Sequence, residues 1–140
     1  MRSPVINLVM WEIPPLNADY QDFKYKELIE IIISIFYKVH NKLGYGFLEK
    51  VYRDAMMIEF KKEGIPSIPQ SGIRVFYKGE MIDEHYADIL VDNKVIVEIK
   101  TAKCLAKDNE VQLLQYLKAN LIEAVLLLNF GIKPEVELTH

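Results

Sequence analysis

Apolar side chains recur along this chain with two different periods, and the change of period divides it. Between Lys24 and Leu43, Leu28, Ile31, Ile32, Ile35, Phe36 and Val39 return every three or four positions. That spacing places them on one helix face. Gly44 and Gly46 follow, where such a helix is expected to stop. A second helix is predicted from about Phe47 to Glu63, with Leu48, Val51, Ala55, Ile58 and Phe60 as its apolar stripe and Gly64 as its end. Pro66 and Pro69 keep the next stretch extended. From Ile73 the period becomes two. Ile73–Tyr77, Met81–Val91 and Val95–Lys100 read as strands, joined by turns at Lys78-Gly79-Glu80 and Asp92-Asn93. A helix is expected from about Asn109 to Asn120. Two more strands follow, the apolar run Ala124–Asn129 and, after Gly131 and Pro134, Glu135–Leu138.

The order α-α-β-β-β-α-β-β implies an α/β domain: a mixed β-sheet, with a crossover helix between two of its strands and helices packed on it. Residues 1–22 look different. Pro14-Pro15 breaks any helix, and Asn17, Asp19 and Asp22 favour turns. This segment reads as an N-terminal arm, either loose or docked through Met10 and Trp11, ahead of a single domain over residues 23–140.

Composition narrows the class. At 140 residues, one domain with a real core is expected. No apolar run reaches the roughly 18 residues of a membrane span, and the N-terminus lacks a secretory signal, so a cytoplasmic protein is expected. The single cysteine, Cys104, rules out an internal disulfide and a multi-cysteine zinc site. A net charge of −3 argues against a dedicated nucleic-acid binder but not against an enzyme that neutralises its acids with a bound cation.

The chemistry concentrates in the strands. Asp88 lies in Tyr86-Ala87-Asp88-Ile89-Leu90-Val91, and Glu98-Ile99-Lys100 closes the next strand. Charges inside apolar strands are costly unless paired or bound to a metal. Glu98 and Lys100, two apart, share a face. Two carboxylates offer hard oxygen ligands, with an ammonium beside them to orient a water or to stabilise developing charge. The competing reading is a solvated cross-strand ion pair. The turn decides whether the acids meet. A two-residue loop pairs Asp88 with Val97 and turns Glu98 away. Pairing centred on Asn93 brings Asp88 opposite Glu98, which requires a three-residue connection or a bulge.

Glu49 sits in the first turn of the second helix, where the dipole favours a carboxylate, with Tyr52 on the same face. It reads either as a helix-end acid or as a third metal ligand. Gln112 and Tyr116 stack on one face of the later helix, at a helix–solvent border or beside the site. His40 suits a helix C-terminus. His85 faces either solvent or a phosphate. Lys100, Lys103 and Lys107 could contact a nucleic-acid backbone.

Taken together and in this order, Glu49, Asp88, Glu98-Ile99-Lys100 and Gln112-x-x-x-Tyr116 resemble the PD-(D/E)xK nuclease superfamily. More narrowly, Gly46, Glu49 and Tyr52 resemble the small prokaryotic family named for its Gly-x-x-Glu-x-x-Tyr (GxxExxY) motif. Leu43–Glu49, Gln112–Lys118 and Leu127–Gly131 fit it too, and the likeness covers residues 25–135. It implies a restriction-endonuclease-like fold and a Mg²⁺- or Mn²⁺-dependent nuclease acting on nucleic acid, DNA more than RNA. Asp88 and Glu98 would be metal ligands, Glu49 an accessory ligand and Lys100 the catalytic lysine. Gln112 and Tyr116 would match the Gln-x-x-x-Tyr motif of the RecB-like branch. A homodimer is a further expectation of the resemblance. Ala87 stands where the superfamily has its eponymous proline, and Asn109 where relatives often carry histidine. The alternative is a catalytically silent nucleic-acid-binding or accessory protein that retains the fold.

Overall fold

The computed structural model describes residues 18–103, 122 and 124–139, with side chains from residue 26 onward. The expected helix at 109–120, Gln112, Tyr116, Cys104, Lys107, Asn109 and the Trp11 segment lie outside the described residues.

Helix α1 runs Ala18–Leu43. It starts within the segment read as an arm, since nothing after Pro15 breaks a helix and Asp19 and Asp22 suit its positive end. Its buried stripe is Leu28, Ile32, Ile35, Phe36 and Val39, while Ile31 is turned out. Helix α2 runs Glu49–Lys62 and buries Tyr52, Met56 and Phe60. Of the expected stripe, Phe60 is buried and Ala55 half-buried, while Leu48, Val51 and Ile58 are exposed. Both sets obey the helical period. The larger side chains take the interior because each removes more apolar area from water.

Five strands form one sheet in the order β1-β2-β3-β4-β5: β1 Ser67–Tyr77, β2 Glu80–Val91, β3 Val95–Lys100, β4 Ala124–Phe130 and β5 Pro134–Thr139. β3 and β4 are parallel and the other neighbours antiparallel, so the sheet is mixed. β1 begins well before Ile73 and passes through Pro69, which an edge strand tolerates. α1 and α2 cover one face through Ile32, Phe36, Met56 and Phe60, packed with Ile89, Val97, Ile99, Leu126 and Leu128. A second cluster, including Ile73, Ala87, Leu90, Ile96, Ile122 and Val125, fills the other face. β3 and β4, buried on both faces, read as near-continuous apolar runs for that reason.

The β2–β3 connection is three residues long. Val91 pairs with Val95, Leu90 with Ile96 and Ile89 with Val97. Asp92 and Asn93 adopt positive φ (50° and 55°), a conformation Asp and Asn tolerate best among residues with a Cβ. The pairing is therefore centred on Asn93, and its continuation would set Asp88 opposite Glu98. The ladder stops just before that pair. Beyond it β2 stays with β1 and β3 stays with β4, so the sheet forks at Asp88 and Glu98.

Candidate active site at the sheet fork

At the fork, the chain's own groups replace the missing ladder. The Ile99 N–H donates to Asp88 Oδ2 at 2.7 Å. His85 Nε2 lies 2.8 Å from Glu98 Oε1. Glu98 is 5% exposed, an uncommon setting for a carboxylate. Lys100 closes the strand on the same face, half-buried and in register with Asn129 of β4.

A second irregularity brings His85 here. Simple alternation would place residue 85 with Ala87 and Ile89, away from Glu98. Ala87 instead packs with Leu90 and Ile96, on the face opposite Ile89. The alternation slips at Asp88, between the Pro69–Ile89 and Ser71–Ala87 pairs, where Gln70 of β1 has a φ of +49°. His85 is thereby turned onto Glu98's face rather than with Ile89 toward the helices. A single positive-φ residue on the neighbouring strand leaves no mark in the sequence of β2, so periodicity alone misses it.

The four groups are electrostatically coupled. Burial pushes the Glu98 carboxyl above its usual range. The His85 hydrogen bond opposes this, the Asp88 charge adds to it, and the Lys100 ammonium pulls the other way. His85 is raised, chiefly by its bond to Glu98 and against the effect of its own burial. Asp88 raises it further and Lys100 lowers it. Two acids and a cation thus face one another across the fork.

The strand exit is clamped. Buried Asn129 accepts from the Ala102 N–H at 3.0 Å and donates to the Ala102 carbonyl at 2.9 Å and to Glu135 Oε1 at 3.1 Å. A Cβ on Gly131 would meet the Ala102 carbonyl oxygen at 2.6 Å, so only glycine lets the backbone pass there. His40, which suggested a helix-dipole role, bonds the Gly131 carbonyl at 2.8 Å and stacks on Phe130. Together these contacts fix where β3 ends, and with it Lys100.

Glu49 opens α2 with an exposed side chain, and no hydrogen bond or ion pair joins it to Asp88, Glu98 or Lys100. Its neighbour Tyr52 is fully buried. The Tyr52 hydroxyl donates to the Gly44 carbonyl at 2.7 Å and accepts from the Phe47 N–H at 3.3 Å, while its ring stacks on Phe130. Gly46 takes a φ of +108° inside this loop. Gly46 and Tyr52 therefore shape the turn that leads to Glu49. Lys103 is exposed just past the strand.

Among the described residues no group of three or more His, Cys, Asp and Glu side chains assembles as a metal cage. Mg²⁺ does not need one. It is commonly bound by one or two carboxylates, keeping waters and substrate phosphates as its other ligands. Asp88 and Glu98 fit that pattern. Their oxygens are hard donors, and the buried Glu98 charge, disfavoured by desolvation and by Asp88, is the charge a cation would relieve.

A five-stranded mixed sheet flanked by two helices, with an acid on one strand beside an acid-x-lysine triplet on the next, is consistent with an α/β restriction-endonuclease-like fold. Residues 26–139 match the family model of the PD-(D/E)XK nuclease superfamily, and the chain belongs to it. Comparison with curated proteins and with solved structures yields no significant match. Nucleases of this superfamily generally use divalent metals and act on nucleic acid. No helix among the described residues is long and apolar enough to cross a membrane.

Proposed function

We propose that this protein is a Mg²⁺- or Mn²⁺-dependent nuclease that hydrolyses phosphodiester bonds, in DNA rather than RNA, and that it falls in the GxxExxY-type, RecB-like part of the superfamily. The observation that supports the reading is the fork just past the Ile89–Val97 pair, where the Ile99 N–H holds Asp88, buried Glu98 meets His85, and Lys100 lies on Glu98's face. A solvated surface ion pair would not bury Glu98 to this degree.

Asp88 and Glu98 would hold the cation, with Glu49 as an accessory ligand from the start of α2. Bound there, the metal would polarise the scissile phosphate and acidify a water. The protein supplies the positions. The Ile99 N–H fixes the Asp88 carboxylate at one oxygen. Lys100, held at the clamped end of β3, orients the attacking water or stabilises the charge developing on the phosphate. Gln112 and Tyr116 would complete the site from the segment after β3.

Incubating the protein with single- and double-stranded DNA and RNA, with Mg²⁺, with Mn²⁺ or with a chelator, tests this. The expected result is cleavage of DNA that needs the added metal. Failure to cut any member of the panel in either metal would favour the silent accessory protein.

A further inference from the structure

Each acid at the fork has one oxygen already engaged by the protein, and the two engagements differ in kind. Asp88 is held by a backbone N–H, which any sequence would supply. Glu98 is held by a side chain, His85, 2.8 Å away. The His85 side chain is 24% exposed and that of Glu98 7%, so the bond is shielded from competing water. Glu98 also has three side-chain torsions where Asp88 has two, and so more freedom to lose before it can act as a ligand. We infer that His85 is a positioning residue of this site. Its imidazole N–H pins Glu98 Oε1 and so presents the second carboxylate oxygen to the cation shared with Asp88. The inference rests on the nuclease reading proposed above.

The fold makes a specific provision for this contact. His85 reaches Glu98 only because strand alternation slips beside Gln70, since regular pleating would place residue 85 on the helix-covered face. An imidazole also suits the task better than a long cationic side chain. It is rigid, with two torsions, and the geometry places its ring nitrogen rather than a mobile ammonium against the carboxylate. Hydrogen bonds that orient ligating carboxylates typically alter metal affinity about 10–100-fold when removed.

Mn²⁺ binding, followed by the loss of the free-ion electron paramagnetic resonance signal, tests the role without turnover. The comparison is between the wild-type protein, His85→Ala and His85→Gln, each checked for native circular dichroism. His85→Ala should weaken Mn²⁺ about 10–100-fold. His85→Gln, whose amide can donate the same bond, should recover most of the loss. In cleavage assays, His85→Ala should raise the metal concentration needed for half-maximal rate far more than it lowers the saturated rate. Equal Mn²⁺ affinity in wild type and His85→Ala would overturn the inference while leaving the nuclease reading intact. So would a nitrogen coupling from His85 in the pulsed spectrum of bound Mn²⁺, which would make it a direct ligand. A wild-type protein that binds no Mn²⁺ would instead overturn the nuclease reading, and this inference with it.

Discussion

Glu98 sits where its own charge is least welcome. It is nearly sealed from water and faces another acid, and burial drives its carboxyl upward. In the absence of metal the folded state therefore disfavours the ionised form. Glu98→Gln keeps the shape and the His85 bond while removing the charge. It should raise the thermal midpoint of the metal-free protein above wild type at neutral pH, and abolish cleavage. A midpoint equal to or below wild type would show that burial does not strain this group. Stability given up at a working group is a common trade in enzymes. The sequence marked Glu98 as a candidate but left a solvated ion pair open, and its burial is what the structure adds. The contact of Glu98 with His85 was not legible there, because the slip in alternation between Ala87 and Ile89, beside the positive-φ Gln70, leaves no periodic mark in β2.

The strands and the hairpin follow directly from pattern, and the register requirement could be stated in advance. Asp92 and Asn93 tolerate positive φ, and the three-residue connection they form is the one that brings Asp88 opposite Glu98. The face of α2 was not so legible. Leu48, Val51 and Ile58 compete with Tyr52, Met56 and Phe60 for the interior, and both sets keep helical spacing. Only packing against Phe130 and the sheet decides between them. The clamp on β3 is likewise tertiary, since Asn129 and Gly131 meet Ala102 across 27 and 29 residues of chain. Gly131→Ala forces a Cβ against the Ala102 carbonyl, and displacing that backbone costs about 1–3 kcal/mol. Denaturant unfolding should show that loss, with cleavage reduced because the end of β3 carries Lys100. A variant with wild-type stability and rate would mean that the clamp positions nothing.

At the scale of the whole molecule, an acidic chain that acts on a polyanion needs its charge inverted locally. The net charge of −3 includes the two acids at the fork, and a bound divalent cation would offset their charge where a phosphate must approach. On the proposed reading, nucleic acid would meet the fork with its cation bound rather than a broad basic face. The fold itself was readable from the order of elements, because a meander followed by a parallel crossover leaves few topologies. The candidate site residues stood out only as a set, since each alone has an ordinary explanation. The most direct test compares metal-dependent cleavage of a DNA substrate by the wild-type protein, Asp88→Ala and Lys100→Ala, prepared identically and confirmed folded. A metal-dependent nuclease site at the fork requires cleavage by wild type and a loss of at least about 10²-fold in each variant, the scale expected when a group that stabilises transition-state charge is removed. Equal cleavage by all three preparations, or none by wild type in either Mg²⁺ or Mn²⁺, would contradict it.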